Sequence, residues 1–263
     1  MPEYQGSGTA IALQQRIRAR AGEISASPHL VNGARLVHYL DPQAIGWDRV
    51  RGWAEEDQLA GFPFVDPGVT QALIHDQLGP EWKTPTWLAL QGDADEVLSA
   101  CEAVIQAVPL PEGWTITAET CSPPERLEAA QALNAATGVS PYPAYYMRSE
   151  DVPVLTVCLL DDAGQVMATA SVADRYDPAS RLGGYVFAGM VSVAEAARGL
   201  GLGKRINAEA LVRSHALWSW DVATEQVAPD NAASLAMIRA CGLSHKHGLV
   251  AMAAINSDER FTR

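Results

Sequence analysis

The stretch Arg198-Gly199-Leu200-Gly201-Leu202-Gly203-Lys204 has residue types and spacing that can do chemistry. Glycines at alternate positions leave the backbone bare, and the segment that follows, Leu202 to Trp218, reads as a helix. A bare loop feeding a helix start presents unpaired N–H groups and the positive end of the helix dipole, which together suit an anion. A phosphate is the guest this arrangement fits best. Between Arg198 and Arg213 the basic residues Arg198, Lys204, Arg205 and Arg213 stand against one acid, Glu209, inside a chain of net charge -12. Arg205 and Glu209 are also spaced to pair along a helix face.

Two phosphate-binding loops are excluded by residue type. A nucleoside-triphosphate loop needs glycine five residues before Gly203, where Arg198 stands, and a hydroxyl after Lys204, where Arg205 stands. A dinucleotide fingerprint needs a third small residue where Lys204 stands, and it opens a βαβ unit. Here the loop follows three strand-like segments.

A third pattern fits. Arg198-x-x-Gly201-x-Gly203, preceded by the strand end Val191-Ser192-Val193, resembles the pyrophosphate loop of the GNAT acetyltransferase superfamily. Downstream, Asn231-Ala232-Ala233-Ser234 followed by a helix and Cys241-Gly242-Leu243 resembles that superfamily's second signature, with Leu243 in place of phenylalanine. The resemblance covers roughly residues 113–256. It implies an α+β fold with a mixed α/β sheet, the GNAT-like acyl-CoA N-acyltransferase fold. It implies acetyl-CoA as co-substrate, a primary amine of a small molecule, amino acid or peptide as acceptor, and direct attack in a ternary complex, with no metal. Cofactor-binding positions then fall at Val191, Ser192, Val193, Arg198, Gly199, Leu200, Gly201, Leu202, Gly203, Lys204, Asn231 and Ser234. The strand ending at Val193 is expected to splay from its neighbour and polarise the thioester oxygen with a backbone N–H.

The chain departs from the superfamily where proton transfer is concerned. The usual tyrosine position in the second-signature helix is Ile238, and no tyrosine follows Tyr185. Tyr142, Tyr145, Tyr146, Tyr176, Tyr185, Cys241 or water remain as donors to the leaving thiolate. Tyr145 and Tyr146 lie in the region that, by resemblance, roofs the substrate pocket. Tyr185 to Val193 holds no carboxylate, so Glu225 on the next strand is the nearest base. The incomplete acid and base leave a second reading open, a non-catalytic acyl-CoA binding or sensing module, and the acyl chain can also be longer than acetyl.

These residues must be positioned by a two-part chain. Residues 1–111 read as mostly helical, with helices at Thr9–Ala21, Gln43–Glu56, Pro67–Leu78 and Asp93–Val108 and one strand, Thr86–Leu90. Asp66-Pro67 carries a helix-start signal. Residues 112–263 read as the acetyltransferase part, with Pro109-Leu110-Pro111 and Gly113 as the linker. There the strands are Trp114–Glu119, Pro153–Leu160, Val166–Asp174, Tyr185–Val193, Val222–Val227, Leu243–His247 and Leu249–Ile255. Ser122-Pro123-Pro124-Glu125 has the form of a capping box. The acidic balance argues against nucleic acid or an anionic membrane as partner. No apolar run is long enough for a membrane span. The four cysteines are far apart, as reduced thiols of a cytoplasmic protein would be. A homodimer is a possible assembly, and the first part is expected to bind no CoA because it lacks a comparable loop.

Overall fold

Local chemistry sets most element boundaries. In the computed structural model, which describes residues 2–257, the Asp66 side chain accepts from the Val69 N–H at 2.9 Å and starts a helix at Pro67. Asp41 and Asn231 do the same for the helices they precede. The box at Ser122 does not form. Pro123 is the N-cap, the helix begins at Pro124, and the Ser122 hydroxyl is buried without a partner. The rigid Pro-Pro pair carries the entry instead.

The first 111 residues contain six helices: α1 (Gly8–Ala19), α2 (Ala21–Ser25), α3 (Pro42–Ile45), α4 (Trp47–Asp57), α5 (Pro67–Gln77) and α6 (Ala94–Ala107). They also contain β1 (Leu30–Asn32), β2 (Val37–Tyr39), β3 (Leu59–Val65) and β4 (Thr86–Asp93). The remainder begins with β5 (Thr115–Glu119), α7 (Pro124–Ala136), α8 (Ala144–Met147), β6 (Val154–Leu160), β7 (Val166–Ala173) and β8 (Tyr185–Val193). It ends with α9 (Leu202–Trp218), β9 (Val222–Val227), α10 (Ala232–Ala240) and β10 (Ser244–Ile255). Only β4 of the first four strands is expected from sequence. β1 and β2 are three residues each, too short for a period. β3 carries Gly61 and Pro63 within its apolar run, which reads as a breaker. The two short strands expected near the end form one element, interrupted at Gly248 (φ 83°), where the register against β4 shifts between His245 and Val250.

Among the described residues, ten strands join one mixed sheet in the order β1-β2-β3-β10-β4-β9-β8-β7-β6-β5. β2 and β3 are parallel, as are β8 and β9. Each parallel pair is followed by a helix and a last strand: α5 and β4 after β3, α10 and β10 after β9. Those last strands are exchanged. β4 lies against β9, and β10 lies against β3, with β4 and β10 antiparallel between them. The order is therefore roughly symmetric about the β4–β10 ladder.

Side chains alternate across each strand, so helices on both faces bury both sets. Leu155, Val157 and Leu159 of β6 share a core with α6, α9 and α10. Val154 and Cys158 pack with Leu127, Tyr145 and Tyr146 from α7 and α8. Leu13, Ile17, Val50, Phe62 and Ile74 form a separate core beneath the first strands.

Leu90 on β4 is fully buried in the core of α6 and α9. Leu90→Ala should destabilise the whole molecule by about 3 kcal/mol. Chemical denaturation should show this as a single shifted transition, because neither half keeps its own last strand.

Candidate functional site

The glycine loop has the conformation its composition requires. Gly199 and Gly201 have φ of 81° and 75°, values that favour glycine strongly. A Cβ on Gly199 would meet open space, whereas one on Gly201 would lie 3.3 Å from Val108. Gly201 is the N-cap of α9 and offers no side-chain cap; its carbonyl accepts from the Lys204 N–H at 3.0 Å, so the Leu202 and Gly203 N–H groups are the ones the helix itself leaves unpaired. Gly203 passes close to the neighbouring elements, its absent Cβ 3.6 Å from Val193 and 3.7 Å from Met237. Leu200 is 56% exposed at the tip, while Leu202 is buried beneath it.

The local positive charge divides into two roles. Arg205 is committed to structure: Nη1 donates to the carbonyls of Ile105 and Val108, both at 2.7 Å, and Nη2 reaches Glu209 at 2.8 Å. Arg213 takes the other oxygen of Glu209 at 2.8 Å. Arg198 and Lys204 are exposed and, among the described residues, form no ion pair. These two are the cations free to meet a ligand at the loop.

Beside the loop, two parallel neighbours part. β8 pairs with β9 only at Tyr185–Val222, Val186–Ala223 and Phe187–Thr224. Beyond Phe187 the strand stays with β7 alone, through a bulge where the register shifts between Thr169 and Ser171. Met190, at the bulge, has φ 58°. Helix α7 holds it there: Asn134 Nδ2 donates to the Met190 carbonyl at 3.1 Å and to Ser192 Oγ at 2.8 Å. Thr137 Oγ1 donates to Ser192 Oγ at 2.8 Å. With its hydroxyl so engaged, Ser192 has backbone to offer, while Val191 and Val193 pack with the α9–α10 core.

A cavity of about 440 Å³ opens along this parting. Near the loop it is lined by Val191, Asn231, Ser234, Met237 and Ile238. Asn231 Oδ1 caps α10 by accepting from the Ser234 N–H at 3.1 Å, which leaves its amide N–H groups directed elsewhere. Ile238 confirms that no hydroxyl stands at that position.

Glu225 lines the same cavity and is only 2% exposed. It sits opposite Leu90 of β4 and accepts from Asn207 Nδ2 of α9 at 2.7 Å. Burial raises its pKa to about 7, and the Asn207 hydrogen bond opposes that rise. Such a carboxylate can take or give a proton near neutral pH.

The two expected tyrosines are elsewhere. Tyr145 and Tyr146 are fully buried in the α7–α8 core, their hydroxyls donating to the carbonyls of Gln14 (3.5 Å) and Asn32 (3.1 Å). Both pKa values are raised by burial. They pack and do not reach the cavity, whereas Tyr142 does. Cys241 is buried beneath α9, its thiol near the Lys204 carbonyl. Sequence reasoning missed Arg35, His38 and Arg175, which line the far end of the cavity. Arg35 and His38 come from the unexpected β1–β2 hairpin, and no local pattern marks them.

No family model and no curated protein sequence matches the chain. Solved structures do. A GCN5-related N-acetyltransferase from Kribbella flavida aligns with a TM-score of 0.59 at 17% identity, covering 95% of this chain and 97% of that one. A tandem GNAT protein from the clavulanic acid biosynthesis pathway gives 0.55 at 18% identity, over 87% and 77% of the two chains. A GCN5-related N-acetyltransferase-like protein from Streptococcus suis gives 0.54 at 16%, over 92% and 99%. The chain has the fold of the GCN5-related N-acetyltransferases.

Because the folded-state pKa of Glu225 lies above its unfolded value, the native state binds that proton more tightly. Its stabilising contribution is full in acid and is lost as pH rises toward 7. Glu225→Gln should therefore lose less stability than the parent between pH 5 and pH 8. Thermal melts across that range would show the difference in slope.

Proposed function

We propose that the protein is an acetyl-CoA-dependent N-acetyltransferase that acetylates a primary amine by direct attack. The observation that carries this reading is the parting of β8 from β9 directly beside a glycine-capped helix start. The parting leaves strand backbone free along a cavity, and the helix start leaves N–H groups and two unpaired cations free at its mouth. A diphosphate-bearing thioester with an extended arm fits both features together. The fold shared with acetyltransferases supports the same choice.

Acetyl-CoA supplies an activated acetyl thioester. First-turn N–H groups of α9, with Arg198 and Lys204, hold the diphosphate. The β8 backbone between Val191 and Val193 holds the arm and polarises the thioester carbonyl, the role backbone donors play where an oxyanion develops. The amide of Asn231 steadies the arm from the start of α10. In the reaction the acceptor nitrogen forms a bond to the carbonyl carbon and the carbon–sulfur bond breaks. The amine loses one proton and the thiolate gains one. Glu225, ionised above pH 7, receives the amine proton through cavity water. Ile238 offers no hydroxyl and Tyr142 lies against Arg35 at the far end of the cavity, so cavity water is assigned as donor to the thiolate. The reaction needs no metal, and the protein is read as acting in the cytoplasm.

The alternative of a binding or sensing module is separated by turnover. Calorimetry with CoA should show binding that Gly201→Asp abolishes, since it adds a side chain at positive φ and a negative charge at the helix start. Arg198→Ala with Lys204→Ala should weaken CoA by about tenfold or more. If wild type and Gly201→Asp are equally indifferent to CoA, the reading fails.

With a competent amine, Glu225→Gln should lower kcat by roughly 10²-fold with little change in KM for acetyl-CoA. The rise in rate through pH 7 should disappear. Free-thiol release followed across pH 6 to 9 reads both. A variant as fast as the parent would remove Glu225 from the mechanism.

A further inference from the structure

The end of the cavity away from the glycine loop holds cations with nothing to balance them. Arg175 is 8% exposed. It donates Nη2 to the Tyr176 hydroxyl at 3.2 Å and lies 3.8 Å over the Phe187 ring. Arg35 reaches in from the turn between β1 and β2. It donates Nη1 to the Ser140 carbonyl at 2.8 Å and lies 5.4 Å from the Tyr142 ring. Among the described residues neither guanidinium forms an ion pair. The Nε atom of each is buried and has no hydrogen-bond partner.

His38 of β2 completes the group, its Nδ1 also buried without a partner. The imidazole lies between two glycines: a Cβ on Gly33 would come within 2.6 Å of Nε2, and one on Gly61 within 2.5 Å of Nδ1. Burial, then the charges of Arg175 and Arg35, hold its pKa well below the ordinary value, so it is neutral. Burial and the Arg175 charge also lower the pKa of Arg35. Unpaired buried cations are costly, and two of them converge on one cavity together with an imidazole that lacks a partner for Nδ1. Among the described residues no carboxylate pairs with them, Glu225 of the same cavity being bound to Asn207 instead.

We infer that this end of the cavity binds a carboxylate, and that the acceptor is an amino-acid-like molecule carrying amine and carboxylate together. The inference rests on the acetyl-transfer reading of the same cavity. A guanidinium matches a planar carboxylate through paired N–H donors, and the neutral imidazole adds a donor or acceptor without repelling it. With the carboxylate held by Arg35 and Arg175, the amine of the same small molecule is directed toward the parted strands. A site built around such donors rejects the analogue that lacks the charge, because the donors are then left unpaired.

The test is calorimetry on the full chain in the presence of CoA. The probes are the L-amino acids, each paired with its own amide, and β-alanine paired with phosphoethanolamine. At least one amino acid should bind at least tenfold more tightly than its amide, and β-alanine more tightly than phosphoethanolamine. Arg175→Met and Arg35→Met should each bring the acid-to-amide ratio to within threefold of one, with CoA affinity within threefold of the parent. The wild-type ratios stand without the variants, should either fail to fold. Equal binding of acids and amides, no binding by any acid, or preference for phosphoethanolamine overturns the inference. CoA titrated alone separates the two readings. CoA binding without carboxylate preference leaves acetyl transfer standing and removes this site. Carboxylate preference without CoA binding does the reverse.

Discussion

One constraint underlies the site: β8 must leave β9 while staying paired with β7. A strand cannot do both with regular geometry, because its two edges share one backbone. The bulge at Met190 solves this by inserting a residue at positive φ, which turns the strand away from β9. Positive φ at a non-glycine residue is strained and persists only where its surroundings hold it. Asn134 of α7 and Thr137, its C-cap, supply that hold, through the Met190 carbonyl and the Ser192 hydroxyl. Helix α7 therefore governs a cavity on whose far wall it contributes little.

The other edge of β9 must resist the parting, and β4 provides this. It pairs along the whole of β9, from Val222 to Val227. The first half of the chain thereby holds one side of the site open and, through the β1–β2 hairpin, places Arg35 and His38 at its far end. The two halves are arranged alike but differ at their crossover helices. Helix α9 starts after Gly201 with no acid in its first turn. Helix α4 starts after Gly46 with Trp47 and Asp48, which puts a bulky side chain and a negative charge where an anion would sit. The start of α4 therefore lacks the bare, acid-free turn that the start of α9 presents.

Much of this was legible in the sequence, for physical reasons that can be named. The glycine loop carries positive φ values that few other residues accept, so its composition reports its shape. The long apolar strands β6 to β8 and the helix α9 announce themselves by length and period. Asn231 is visible because capping selects asparagine at a helix start, and it caps α10. Glu225 was legible as the nearest carboxylate, but its burial was not, since that depends on β4, whose Leu90 pairs with it from about 135 positions away. Tyr145 and Tyr146 look like site residues because they are aromatic and adjacent to the substrate region; packing against α1 and β1 claims their hydroxyls. Arg35, His38 and Arg175 carry no local signal at all. A buried cation without a partner is a property of the assembled cavity, and Gly33 and Gly61 mean something only once His38 lies between them.

The exchanged strands also set an order of events in time. β10 is the last strand of the described residues, yet it lies inside the sheet, between β3 and β4. During synthesis nine strands emerge before the one that joins β3 to β4. Until then β3 and β4 each present an open edge, the kind of surface that recruits wrong partners. Contacts between β10 and β3 link residues nearly two hundred positions apart, and closing such distances makes folding slow. A nascent chain of this protein passes through a long interval in which its arginine-bearing hairpin is complete but its sheet is not.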